Sequence, residues 1–202
     1  MPMLRRPSAP GDEVGASVEM TSRDEAGLIA RVARGELRAF EELYRVYHPR
    51  LTRFIVHRIR RPHLVEEVLN DTMLVVWTRA DSYNGVSKVS TWIFAIAYRK
   101  AMAALRGLDE PMEDQHAEAR QSPDPGPEDQ VGRRQVEEAL SRAMGELSAD
   151  HRSVVDLTYF HEMGYREIAD IMGCPVGTVK TRMHHARQRL KNALAGGLVD
   201  WL

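Results

Sequence analysis

Tyr165–Leu190 reads YREIADIMGCPVGTVKTRMHHARQRL, and its chemistry changes at Gly173 and Pro175. Before the break, Ile168, Ala169 and Met172 recur at helical spacing beside the carboxylates Glu167 and Asp170. After it come Lys180, Arg182, Arg187 and Arg189, with no acid among them. Gly173 can adopt the left-handed conformation that stops a helix, and Pro175 suits the opening of the next. In that second helix Val179, Met183, Ala186 and Leu190 repeat at three- and four-residue steps and form one buried seam. Lys180, Thr181, Arg182, His184, His185, Arg187, Gln188 and Arg189 are thereby expected to face outward. Two short helices crossing steeply, the second cationic outside, are the layout of a helix-turn-helix whose second helix enters a DNA major groove. A helix that merely faced water would normally mix charge signs to gain i,i+4 pairs, and this one has no acids to pair with. His184 and His185 are adjacent, about 100° apart around a helix, so they are poorly placed to share a metal ion.

Working outward, the 202 residues suffice for one ordinary domain or two small ones. The net charge of −1 conceals segregation. Residues 28–106 hold 14 Lys/Arg against 7 Asp/Glu, residues 107–140 hold 3 against 10, and residues 176–194 hold 5 cations and no acid. Two basic bodies flank an acidic strap, a distribution suited to a polyanion gripped twice. The strap, GLDEPMEDQHAEARQSPDPGPEDQVG at 107–132, is proline-rich and nearly free of large apolar residues, so it is expected to be a flexible acidic linker. Residues 1–20 have the same poverty of apolar residues and are expected to form a disordered tail, with an ordered domain over 21–106 opening at a Ser22–Glu25 capping box. A second domain spans 133–195, leaving 196–202 as a C-terminal tail. No run approaches the roughly 18 apolar residues of a membrane span. The N-terminus lacks the apolar stretch of a signal peptide, so the chain is expected in the cytoplasm. Cys174, alone, forms no internal disulfide and is expected to be a small buried residue.

The apolar spacing is helical throughout, so the fold class is all-α: two small helical domains joined by the linker, the second a helix-turn-helix domain. Pro49 is expected to kink or break the helix carrying Leu43, Tyr47 and Leu51, and Ser90–Thr91 to cap the helix that runs to about Leu105. That last helix, STWIFAIAYRKAMAALR at 90–106, sets Trp92, Tyr98, Arg99, Lys100 and Arg106 beside the loop YNGVSKVS with Asn84, Ser87 and Lys88. Aromatic faces and polar groups beside cations suit unstacked bases and their phosphates, although Trp92 serves equally well as core. The preceding helix reverses the charge: Glu66, Glu67 and Asp71 cluster, and Glu67, Asn70 and Asp71 share one face. These are either a solvated face or a dock for a basic protein. They have no accompanying nucleophile, metal cluster or phosphate loop, and HEMG at 161–164 lacks the second histidine of a zinc-protease helix. Neither an enzyme nor a cofactor or metal is therefore expected. Three readings remain: a two-domain helical DNA-binding protein, a self-sufficient helix-turn-helix repressor or activator with an N-terminal sensing or dimerising domain, and a helical adaptor binding acidic proteins.

FEELYRVYHPRLTRF, VEEVLNDTMLVVW, STWIFAIAYRKAMAALR and PVGTVKTRMHHAR stand in the order seen in the extracytoplasmic-function (ECF) branch of bacterial sigma factors, which this chain resembles over about 24–106 and 133–194. The resemblance implies a promoter-specificity subunit, a monomer when free, whose partners are RNA polymerase core through its largest catalytic subunit and promoter DNA, both as duplex and as melted strand. An anti-sigma factor is a further partner such a family admits. It implies that Glu67, Asn70 and Asp71 dock on polymerase; that Asn84, Ser87, Lys88, Trp92, Arg99 and Lys100 take the melted near element; and that Thr178, Lys180, Thr181, Arg182, His184, His185 and Arg187 read the far element, Arg182 and Arg187 at phosphates. Asn70–Asp71 stands where such chains usually have Gln-Glu, one methylene longer each, and His185 where arginine is common.

Overall fold

The computed structural model describes residues 22–59, 61–106 and 139–199. The expected tail over 1–20 and the linker over 107–132 lie outside them. Every regular element among the described residues is helical: α1 Ser22–Ala33, α2 Leu37–Arg58, α3 Pro62–Arg79, a 3₁₀ turn at Ala80–Ser82, α4 Val89–Arg106, α5 over 139–145, α6 Ala149–Tyr159, α7 Tyr165–Met172 and α8 Val176–Val199. None is long and apolar enough to cross a membrane.

Helices α1–α4 close the first body around Ile29, Leu43, Tyr47, Leu51, Phe54, Met73 and Ile93, all nearly inaccessible. Glu25 is turned inward, where it accepts the Tyr47 hydroxyl at 2.8 Å and lies 3.6 Å from Arg50, so its carboxylate ties α1 to α2. Pro49 does not break α2, which runs unbroken to Arg58. Pro49 is exposed, on the side of the helix where water can serve the carbonyl that the missing N–H leaves unpaired. Helix α4 begins one residue before the expected cap, with the Trp92 N–H returning to the Lys88 carbonyl at 3.1 Å.

The second body is α5–α8. Ser148 caps α6 through the His151 N–H, as its residue type favours. Helix α7 stops at Gly173, whose φ of +62° is left-handed, and Cys174 N–H reaches back to the Ala169 carbonyl at 3.1 Å. Pro175 then accepts from the Thr178 and Val179 N–H groups and opens α8. Helix α8 extends to Val199, into the stretch expected to be a tail. The two bodies are not apart. Helices α2 and α4 pack on α6 and α7, and one continuous apolar cluster runs from Leu28 through Phe54 and Phe94 to Ile168, Val179 and Ala186. His161 of the second body sets its ring tilted against the first, 4.6 Å from Phe94 and 6.2 Å from Phe54.

Candidate nucleic-acid interface

The seam expected in α8 is buried: Val179, Met183 and Ala186 are at or near zero exposure, and Leu190 is half-buried. Packing that stripe against α6 and α7 turns Lys180, Thr181, His184, His185, Arg187 and Arg189 into solvent, with Thr178 half-buried at the start of the face. Lys180, His184, Arg187 and Lys191 follow one another along a single stripe. Among the described residues no acid pairs with Lys180, Arg187, Arg189 or Lys191. Arg187 lies along Tyr159, its Nη2 2.9 Å from the hydroxyl, which orients the guanidinium without neutralising it. His184 and His185 are exposed with ring centroids 5.8 Å apart, and among the described residues no group of three or more His, Cys, Asp or Glu could hold a metal.

Arg182 departs from the expected outward face. It is half-buried, its Nη2 2.6 Å from Asp150 Oδ2 on α6 and its Nη1 3.7 Å from Cys174 Sγ. Cys174 in turn is half-buried rather than enclosed. The wheel places Arg182 at the margin of the seam, and a carboxylate 32 residues earlier in the chain draws it inward.

In the first body the loop before α4 is held by its own polar groups. Asn84 Oδ1 accepts the Val86 N–H at 3.1 Å, the Tyr83 hydroxyl donates to the Ser87 carbonyl at 2.6 Å, and Val86 stands 87% exposed at the tip. Lys88 leans toward α7, 3.0 Å from Glu167 Oε1. Thr91, expected as a cap, is buried and donates to the same oxygen at 3.3 Å. Trp92 is half-buried with its ring 5.7 Å from Tyr83, and it lines a groove of about 470 Å³ with Val75, Thr78, Arg79, Ser82, Ile96 and Arg99. It is therefore both core margin and wall. The spacing of the last turn of α3 offered no sign of Arg79 and Thr78; the groove brings them in.

On α3 the exposed Glu67 and Asn70 share a face with the half-exposed Asp71, and Leu74, 58% exposed, continues it one turn further. Lys100 Nζ lies 2.8 Å from Asp71 Oδ2, so the acidic face and the cationic face of α4 meet at this pair.

Comparison with known proteins bears on both bodies. The pattern of Sigma-70 region 2 matches residues 43–110, and that of Sigma-70 region 4 matches residues 137–190. The chain is 28% identical over 185 residues to the RNA polymerase sigma-H factor of Pseudomonas aeruginosa, covering 87% of this chain and 96% of that one. It is 27% identical over 177 residues to the ECF RNA polymerase sigma-E factor of Haemophilus influenzae, covering 83% and 93%. Among solved structures it is similar to the sigma factor RpoE in complex with the anti-sigma factor NepR from Bartonella quintana, with a TM-score of 0.64 and 25% identity over 77% of this chain and 96% of the other.

Proposed function

The chain belongs to the sigma-70 family, in its extracytoplasmic-function branch, and from that membership we infer that it recruits RNA polymerase core to specific promoters and initiates transcription there. It is a DNA-binding transcription regulator rather than an enzyme. The observation that carries the reading is the outer face of α8, a cationic stripe that no acid among the described residues pairs with, on a helix-turn-helix stopped by a left-handed glycine, in one chain with a second basic body of the matching kind. Lys180 and Arg187 are suited to phosphates, while Thr181, His184 and His185 offer hydrogen-bonding groups to base edges.

In this reading the loop from Asn84 to Lys88 and the groove walled by Trp92, Arg79 and Arg99 receive the melted strand. An aromatic face beside guanidinium groups stabilises an unstacked base and its phosphate. Glu67, Asn70 and Asp71 dock on a basic surface of polymerase, with Leu74 adding apolar contact at the same face. An anti-sigma factor is a further partner, as for the RpoE relative, and the cytoplasm is the compartment in which all of these meet. Run-off transcription with purified core polymerase on genomic fragments tests the reading. Defined start sites that appear only with the chain added support it; core transcribing identically with and without the chain refutes it.

A further inference from the structure

We propose that the far-element face extends beyond α8 onto α6 through His151, and that His151, His185 and His184 together make its hold on duplex DNA depend on protons. The proposal rests on the DNA-binding reading of α8 above and deepens it. Arg182, His185 and Arg189 succeed one another at three- and four-residue steps, so they share one edge of α8. That edge borders α6, since Arg182 lies 2.6 Å from Asp150. Across it the ring of His151 stands 6.1 Å from the ring of His185, centroid to centroid, and the ring of His184 follows at 5.8 Å. Three imidazoles from two helices thus form one row. It begins near the start of α6 and ends on the outer face of the cationic helix.

His184 and His185 are exposed and His151 is half-buried, so the row is open to a ligand. No acid among the described residues pairs with any of the three rings. The charges around them are mostly of one sign. Helix α8 supplies Arg182 and Arg189, and α6 supplies Asp150, already engaged by Arg182. On α7, which packs against α8, Glu167 is turned to Lys88, while Arg166 and Asp170 are exposed and pair with none of the rings. Arg142 on α5 and Glu146 just after it are exposed and equally unengaged with them. Burial first, then Arg189, His185 and Arg182, hold the His151 imidazole below its usual range against the weaker pull of Asp150. A proton on His151 is therefore disfavoured while the face is bare. A phosphate laid on the row reverses this, because an imidazolium then gains an anion beside it. His151 needs no rearrangement to take the proton. Its Nδ1 is 2.7 Å from the Ser148 hydroxyl, which donates to a neutral ring and accepts from a charged one. By linkage, the factor by which protons strengthen DNA binding equals the factor by which DNA strengthens proton binding. An imidazole ordinarily titrates near pH 6.5, within the range cells span. Lys180 and Arg187 supply the constant part of the attraction, and the imidazoles supply a graded part that grows as pH falls.

The test uses the full chain and a fluorescein-labelled duplex of mixed sequence, with binding read by anisotropy at low salt. Wild type should bind about tenfold more tightly at about pH 6 than at about pH 7.5. Its slope of log affinity against log salt should also steepen at the lower pH, by about one unit for each ring that meets a phosphate. His151→Gln should remove part of both effects. The triple variant His151→Gln, His184→Gln, His185→Gln should leave affinity nearly flat with pH, whereas His63→Gln, at an exposed histidine of α3, should change neither. Proton NMR of the wild-type imidazoles needs no folded variant beyond the assignment: the His151 signal should titrate at higher pH once duplex is added. Circular dichroism checks helix content, and if the triple variant loses it, the NMR titration decides. The proposal is overturned if the triple variant keeps the wild-type pH dependence, if His151→Gln keeps all of it, or if the His151 titration is unmoved by saturating duplex. A chain that binds duplex equally at both pH values sinks this inference alone, since the run-off assay decides the sigma-factor reading.

Discussion

Asp156 shows how much one side chain does here. Burial opposes its ionisation, but the imidazoles of His161 and His57 outweigh that and hold the carboxyl below its usual range. A carboxyl held low in the folded state contributes stability above its ordinary pKa of about 4, and that contribution is lost as pH falls through the depressed value. Melting temperature should therefore fall below about pH 4 in the wild type, and Asp156→Asn should flatten that part of the curve by removing the titration. Lys180 makes the contrasting case. It is exposed and unpaired by any acid among the described residues, so it is available to a phosphate. Lys180→Ala should lower the slope of log affinity against log salt on promoter duplex by about one unit, measured by fluorescence anisotropy. The outward face of Lys180 is legible in a helical wheel. The inward turn of Arg182 is not, because Asp150 approaches it from another helix.

At the scale of the element, the turn between α7 and α8 carries the fold of the second body. A Cβ added at Gly173 would meet nothing within 4 Å, so the cost of Gly173→Ala is the backbone term alone, about 1 kcal/mol, read as a lower urea midpoint with an unchanged slope. The change also bears on the angle of α8, and far-element binding should weaken with it. In α3 Glu67, Asn70 and Asp71 share one face as their spacing implied, and Lys100 is the addition, 2.8 Å from Asp71. Asp71→Lys should abolish co-purification with core polymerase while helix content is kept. Because the new lysine would also face Lys100, Asp71→Asn serves as control, weakening the association less. Co-purification unchanged in both would remove α3 from the polymerase contact. Helix α2 carries the opposite lesson about local rules: an exposed proline sits within it without ending it, since its apolar stripe packs on both sides of Pro49.

Across the whole molecule, the two bodies share one apolar cluster, with Phe94 belonging to the core of the first and touching His161 of the second. Unfolding of the wild type followed by scanning calorimetry should accordingly be a single transition. Asp156→Asn, which loosens the joint but leaves each body its own helices, should resolve it into two. Phe94→Ala should cost about 3–5 kcal/mol, as expected for a truncated buried aromatic, and should also weaken the joint.

The sequence by itself determined the helices, the glycine that ends α7, the buried seam of α8 and the cationic face opposite it. All of these follow from spacings of a few residues, which backbone geometry converts directly into faces. It also carried the two-body division, through segregated charge. Only the tertiary structure decided that Glu167 turns to Lys88 and Thr91, that Asp150 holds Arg182, and that Asp156 sits between two histidines. Those pairs join residues up to 99 positions apart, and nothing in the local order of a chain states which surfaces will meet once its apolar stripes are buried together.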